Sequence, residues 1–198
     1  MSSPQEKQGY HHGDLRRSLI TQGLALVDEI GIEALSLRQL AERVGVSTPA
    51  LYHRFRNKQA LLSALGAACV SEFQDILQVH LQPGGSLEGY VLTYVRYARA
   101  NPARYELMFG RTTWCSEEGE EFRRAARQSF RLVGEQLVRL HQQGLLPADV
   151  NPLRLAQTGW ATLHGLCRMY NDGLAFTPET VEDIALHATQ LMQAALRR

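Results

Sequence analysis

Residues 36–55, SLRQLAERVGVSTPALYHRF, decide the fold of this chain. Ser36 with Gln39 three residues on is a capping box. Leu35 and Leu40 stand where a hydrophobic staple would join them. Leu37, Leu40, Ala41 and Val44 then keep the i, i+3, i+4, i+7 spacing of an amphipathic helix. Gly45 supplies the C-terminal stop. After the tight Val46-Ser47 connection, Thr48 is read as the N-cap of a second short helix with Pro49 in its first position. Two short capped helices around a glycine turn form a helix-turn-helix. Leu37, Leu40, Ala41, Val44, Val46, Leu51 and Phe55 are its expected core.

The neighbouring segments extend the same pattern. Upstream, Leu15, Leu19, Leu26 and Ile30 recur at helical spacing, Ile20, Leu24 and Val27 widen the stripe, and Gly31 ends it. Residues 1–9 are polar, contain Pro and Gly, and read as a loose tail. Downstream, Asn57 caps a long helix running from Lys58 towards residue 80. Pro83-Gly84-Gly85 breaks the chain. Further helices are expected over about 86–100, 102–109, 117–143, 152–171 and 178–197, separated by Asn101-Pro102, Gly110, Gly144 with Pro147, Asn151-Pro152 and Asn171-Asp172-Gly173. No segment alternates with period 2. The expected fold class is all-α.

The 198 residues suffice for one or two domains, and a 44% hydrophobic content with a net charge of +1 excludes a disordered chain. Residues 1–60 carry eight Lys/Arg against six Asp/Glu, a slightly basic balance that the rest of the chain lacks. No apolar run reaches the roughly 18–20 residues needed to span a bilayer, and the N-terminus lacks the apolar segment of a signal peptide, so a cytoplasmic location is expected. Cys69, Cys115 and Cys167 show no CxxC spacing, which fits reduced thiols without a structural disulfide.

On the second short helix, Thr48, Pro49, Ala50, Tyr52, His53 and Arg54 are left outside. They are short at the start and polar or aromatic further along, as a helix entering a major groove requires. Lys58 adds a cation at the next helix N-terminus, where a phosphate would be held. From Tyr10-His11-His12-Gly13-Asp14-Leu15-Arg16, through Gly45-Val46-Ser47 and Leu51-Tyr52-His53-Arg54-Phe55, to Lys58-Gln59-Ala60-Leu61-Leu62, the chain resembles the DNA-binding domain of the TetR/AcrR family of transcriptional regulators. That resemblance implies an all-α homodimer with an N-terminal three-helix helix-turn-helix domain for DNA over 10–56. It also implies a C-terminal helical domain over 57–198 for effector binding and dimerisation. By motif position it brings Arg38, Ser47, Thr48, Pro49, Ala50, Tyr52, His53 and Lys58 to double-stranded operator DNA. The implied protein is no enzyme, needs no cofactor or metal, and acts as a bacterial repressor.

Asn101-Pro102-Ala103-Arg104-Tyr105 with Met108-Phe109-Gly110, and Trp160 with His164-Gly165, resemble a branch of the same family marked by a Trp-His-Gly pattern. Leu153, Ala156, Trp160, Leu163, Cys167 and Tyr170, and then Val181, Ile184, Ala188, Leu191 and Ala195, form stripes suited to a four-helix dimer bundle through about 152–171 and 178–197. Candidate effector-pocket residues are Tyr97, Tyr105, Met108, Phe109, Trp114, Phe130, Trp160, His164 and Arg168. Aromatics with His164 and Arg168 suit a small hydrophobic molecule with one polar or anionic end. Alternatives remain open at this point: a metal sensor using His164 and Cys167, a redox sensor using a cysteine, or a helical protein-interaction module without DNA binding.

Overall fold

In a computed structural model, which describes residues 12–82, 84–115, 117–174 and 176–197, every regular element is a helix. The first, α1 (His12–Ala34), leaves helical geometry at Gly31, whose φ of 78° only a residue without Cβ adopts readily. Ser36 caps α2 (Leu37–Val44) by accepting from the Gln39 N–H at 3.2 Å. Gly45 closes that helix in the left-handed region, its N–H on the Glu42 carbonyl and the Val46 N–H on Ala41, a Schellman arrangement. The next cap differs from the sequence expectation. Ser47, not Thr48, caps α3 (Thr48–Tyr52), its Oγ accepting from the Ala50 N–H at 3.3 Å. Both hydroxyls suit the role, and the extended backbone at residue 47 decides between them. Asn57 caps α4 (Lys58–Gln78) as read, and a single 3-10 turn, Val79–Leu81, follows.

The remaining helices are α5 (Leu87–Ala100), α6 (Pro102–Phe109), α7 (Arg111–Trp114), α8 (Glu120–Gln142), α9 (Pro152–Asn171) and α10 (Pro178–Leu196). One correction is needed here. The single helix expected over 117–143 begins only at Glu120, and the short α7 precedes it, because residues 117–119 form a turn. The tail expected over 1–9 and the Tyr10-His11 pair lie outside the described residues.

α4 is the central strut and packs on α1, α5, α6, α7 and α8. Leu61, Leu62, Leu65, Cys69, Val70, Phe73 and Leu77 are buried along it. This requires a second correction. Lys58–Leu81 is apolar and long enough to cross a membrane, with a mean hydropathy of 1.3, although no single apolar run in it is continuous. Its most apolar 18-residue stretch is 61% buried against the neighbouring helices, so burial within the protein accounts for the composition.

The stripes read as dimer seams are mostly internal at their centres. Ala156, Leu163, Cys167 and Val181 are buried in the chain's own core, where α9 and α10 pack on α5 and on each other. Leu153, Trp160, Leu191 and Ala195 stay exposed. A 3.6-residue stripe reports that a face is covered without reporting by which chain.

Candidate functional site

The α2–α3 unit is built on a small apolar core. Leu37, Leu40, Ala41, Leu51 and Phe55 are buried, and Val44 and Val46 pack against them half-buried. Arg43 fastens the unit to α1 with a two-pronged pair to Glu29, both bonds 2.6 Å, and a bond to the Gln22 side-chain Oε1 at 2.9 Å. With Leu51 and Phe55 turned inward, α3 presents its remaining side to solvent. Pro49, Tyr52 and His53 are exposed, Thr48 and Ala50 are half-buried, and Ser47 is exposed with its oxygen committed to the cap. Tyr52 exposes 49% of its surface. Arg38 is exposed on α2 and bonds to Glu42 one turn on, at 2.9 Å. Lys58 donates to the Glu33 carbonyl at 2.8 Å, at the end of α1.

Three ionic clasps tie this head to the rest of the molecule. Arg104 on α6 holds Asp28 of α1 and Glu72 of α4, each at 2.8 Å. The Asp28 carboxylate beside it holds the Arg104 proton more tightly than usual. Arg16 reaches Glu121 at 2.6 Å, and Arg56 pairs with Glu118.

A cavity of about 1060 Å³ lies among α4, α5, α8 and α9, with α6 and α7 at one end. Of the sequence-read pocket residues, Met108, Phe109, Trp114, Phe130 and Trp160 line it. Tyr97, Tyr105, His164 and Arg168 do not. Tyr97 packs on Phe73 with ring centres 4.6 Å apart. Arg168 faces Glu106 and Asp172 in ion pairs. Tyr105 is fully buried and bonded to His164 Nδ1 at 2.8 Å, while Tyr94 reaches the Tyr105 hydroxyl at 3.3 Å. Burial, and then the positive Arg168, hold His164 below the ordinary imidazole range. Trp160 stacks on His164 with planes 9° apart, which makes this network the backing of the cavity wall. Sequence reasoning missed Phe73, Gln74, Tyr90 and Ser129 on that wall. Gln74 carried no signal, since a glutamine inside a helix normally reads as a solvated face. A second cavity of about 550 Å³ shares Tyr90, Tyr94 and Trp160 with the first and opens between the far ends of α8 and α10.

Cys69 and Cys167 are buried, and burial pushes each thiol up to about 12, far from the thiolate that redox or metal chemistry needs. Cys115 is exposed. Among the described residues no three His, Cys, Asp or Glu side chains gather as a metal site would require.

Residues 19–65 match the family described as bacterial regulatory proteins of the tetR family, and residues 87–195 match the tetracycline-repressor-like C-terminal domain. Among curated relatives, the class A tetracycline repressor of transposon 1721 from Escherichia coli is 51% identical over 55 residues, 28% of this chain and 26% of its own. The transcriptional regulator BetI from Escherichia coli is 37% identical over 75 residues, 37% of this chain and 38% of its own. The chain therefore matches only about a quarter to two-fifths of those relatives' length. Among solved structures, a Rhodococcus sp. RHA1 protein of unknown function is 26% identical with a TM-score of 0.79, covering 97% of this chain and 100% of that one. A regulator of the TetR/AcrR family from Thermobifida fusca shares the fold at 24% identity, with a TM-score of 0.62 over 93% of this chain and 100% of its own.

Proposed function

Because this chain belongs to the TetR family of bacterial regulatory proteins, we propose that it is a transcriptional repressor that binds a palindromic operator as a homodimer and leaves it when a small apolar molecule fills the cavity. The observation that carries this reading is the solvent-facing side of α3. Tyr52 and His53 stand outside, with Thr48, Pro49 and Ala50 ahead of them, on a helix whose opposite side is locked into the α1–α2 core. Such a helix can enter a major groove without unfolding anything. Tyr52, His53 and Thr48 offer hydrogen-bond donors to phosphates and base edges, Ala50 offers a methyl, and Arg38 reaches in from α2. Lys58 would exchange the Glu33 carbonyl for a phosphate. The head, residues 10–56, reads DNA, and residues 57–198 sense and dimerise.

Two heads must stand about 34–36 Å apart to meet successive turns of one DNA face. The exposed outer sides of α9 and α10, with Leu153, Met169 and Leu191 in water and no atom within 4 Å of where a Cβ on Gly159 or Gly165 would stand, suit close packing against a second copy. A ligand in the cavity bears on α4 and α6, and the Arg104 clasp carries their displacement to α1 and so to the spacing of the heads. The ligand acts by favouring a spacing that no longer fits the operator.

Selection of bound sequences from a random DNA pool tests the core of this reading. Enrichment of a two-fold symmetric site is expected, and an unenriched pool overturns it. On the enriched site, Tyr52→Ala and Lys58→Ala should each weaken binding while the melting temperature and dimer stay intact. Lys58→Ala should act alike on all sequences and lower the salt slope by about one. A salt-insensitive interaction would favour a protein partner instead.

A further inference from the structure

The buried part of the cavity wall is mainly apolar, with Gln74, Ser129, Tyr90 and Tyr94 among its polar members and charged side chains such as Arg127, Arg131 and Arg139 at the rim. Gln74, on α4 between Phe73 and Leu77, lies on that wall and is only 7% exposed. Its Oε1 accepts the Ser129 hydroxyl of α8 at 2.5 Å. Its Nε2 is buried and has no acceptor among the described residues. A buried amide donor left without an acceptor costs stability, and an apolar side chain of similar size would remove the cost.

We propose that Gln74 is the polar anchor of the cavity, and that its ligand is an apolar molecule bearing a neutral hydrogen-bond acceptor such as a carbonyl oxygen. The inference rests on the reading of the cavity as the effector site and adds the ligand's chemistry to it. The acceptor is neutral because the buried part of the wall holds no cation. Arg127, Arg131 and Arg139 are exposed at the rim, where Arg127 pairs with Glu120 and Arg139 bonds to Gln136. Burying a carboxylate against an amide alone would be strongly unfavourable, whereas a carbonyl loses little on leaving water if one donor meets it. The polar end of the ligand is therefore recognised at Gln74 with Ser129, away from His164 and Arg168.

The test uses a shape-matched pair of probes, 9-fluorenone and fluorene, which differ by the carbonyl. Affinities are measured by equilibrium dialysis with the full chain, with Gln74→Leu and with Gln74→Met. Fluorene should bind both variants as well as the parent or better. The ratio of fluorenone to fluorene affinity should fall between about three- and tenfold, the worth of one neutral hydrogen bond. If both probes bind and the ratio does not move, the anchor is refuted while the cavity reading stands. If neither probe binds the parent chain, the cavity reading fails and the anchor with it. A second readout separates a ligand role from a structural one. Ligand-free Gln74→Leu/Ser129→Ala should melt at or above the parent temperature, and a fall of several degrees would assign the amide to the fold.

Discussion

Replacing Arg104 with methionine keeps an unbranched apolar stem in place and deletes the fork that joins three helices. The guanidinium makes three bonds to the Asp28 carboxylate, at 3.1, 3.2 and 2.8 Å, and one to Glu72 at 2.8 Å. Its side chain is 19% exposed, and the two carboxylates are 41% and 44% exposed. Breaking a fully buried pair costs about 3–5 kcal/mol and breaking a surface pair about 0–1. Here water can reach both carboxylates once the arginine is gone, so each contact is placed near the low end, at about 1 kcal/mol, and the clasp at about 2 kcal/mol. For a chain of this length that lowers the melting temperature by about 4–8 °C. The assay is thermal melting at fixed protein concentration, since a proposed dimer would make the midpoint concentration-dependent. A double-mutant cycle with Asp28→Asn accompanies it, with a coupling of about 1 kcal/mol expected. A shift under 1 °C with additive single effects would refute the clasp, and with it the route by which the cavity reaches α1.

Three other perturbations probe separate parts of the structure. Gly45→Ala should cost about 1 kcal/mol in thermal melts, because φ at this position is 73° although there is open space for the methyl; an unchanged midpoint would deny the left-handed turn between α2 and α3. Gly66→Ala should destabilise by about 1–3 kcal/mol for the opposite reason, since a Cβ there meets the Phe122 ring at 3.0 Å and the Leu107 carbonyl at 3.2 Å. His164, held low by burial and by Arg168, should make the fold pH-sensitive. Its folded form refuses a proton that the unfolded chain accepts below about pH 6.5, so its contribution is complete above that value and is lost as the pH falls through the depressed folded value. His164→Gln should flatten stability against pH in that window, and an identical pH profile would contradict the assignment.

Much of the head was legible because its determinants are local. A serine followed by glutamine, a glycine, and a serine-threonine-proline run each act through the backbone of their own few residues, and the caps and turn formed where they stood. The one slip, Thr48 for Ser47, is a choice between adjacent hydroxyls that only the extended backbone at residue 47 resolves. The cavity was half legible. Met108, Phe109, Trp114, Phe130 and Trp160 were found because large rings in a helical domain gather wherever space must be filled. Gln74 was not, since polarity within a helix carries no sign of which side is covered.

Residue order alone was therefore enough for the helices, their ends and the inward side of the reading unit, because capping, propensity and 3.6-residue periodicity are properties of neighbours in the chain. The tertiary arrangement alone decided which members of the α9 and α10 stripes turn inward and which stay exposed, that Arg104 spans α1, α4 and α6, that His164 stands behind the cavity wall, and that Gln74 stands on it. Those facts depend on residues tens of positions apart meeting in one place, and such meetings follow from how amphipathic faces share a common core, which no local pattern encodes.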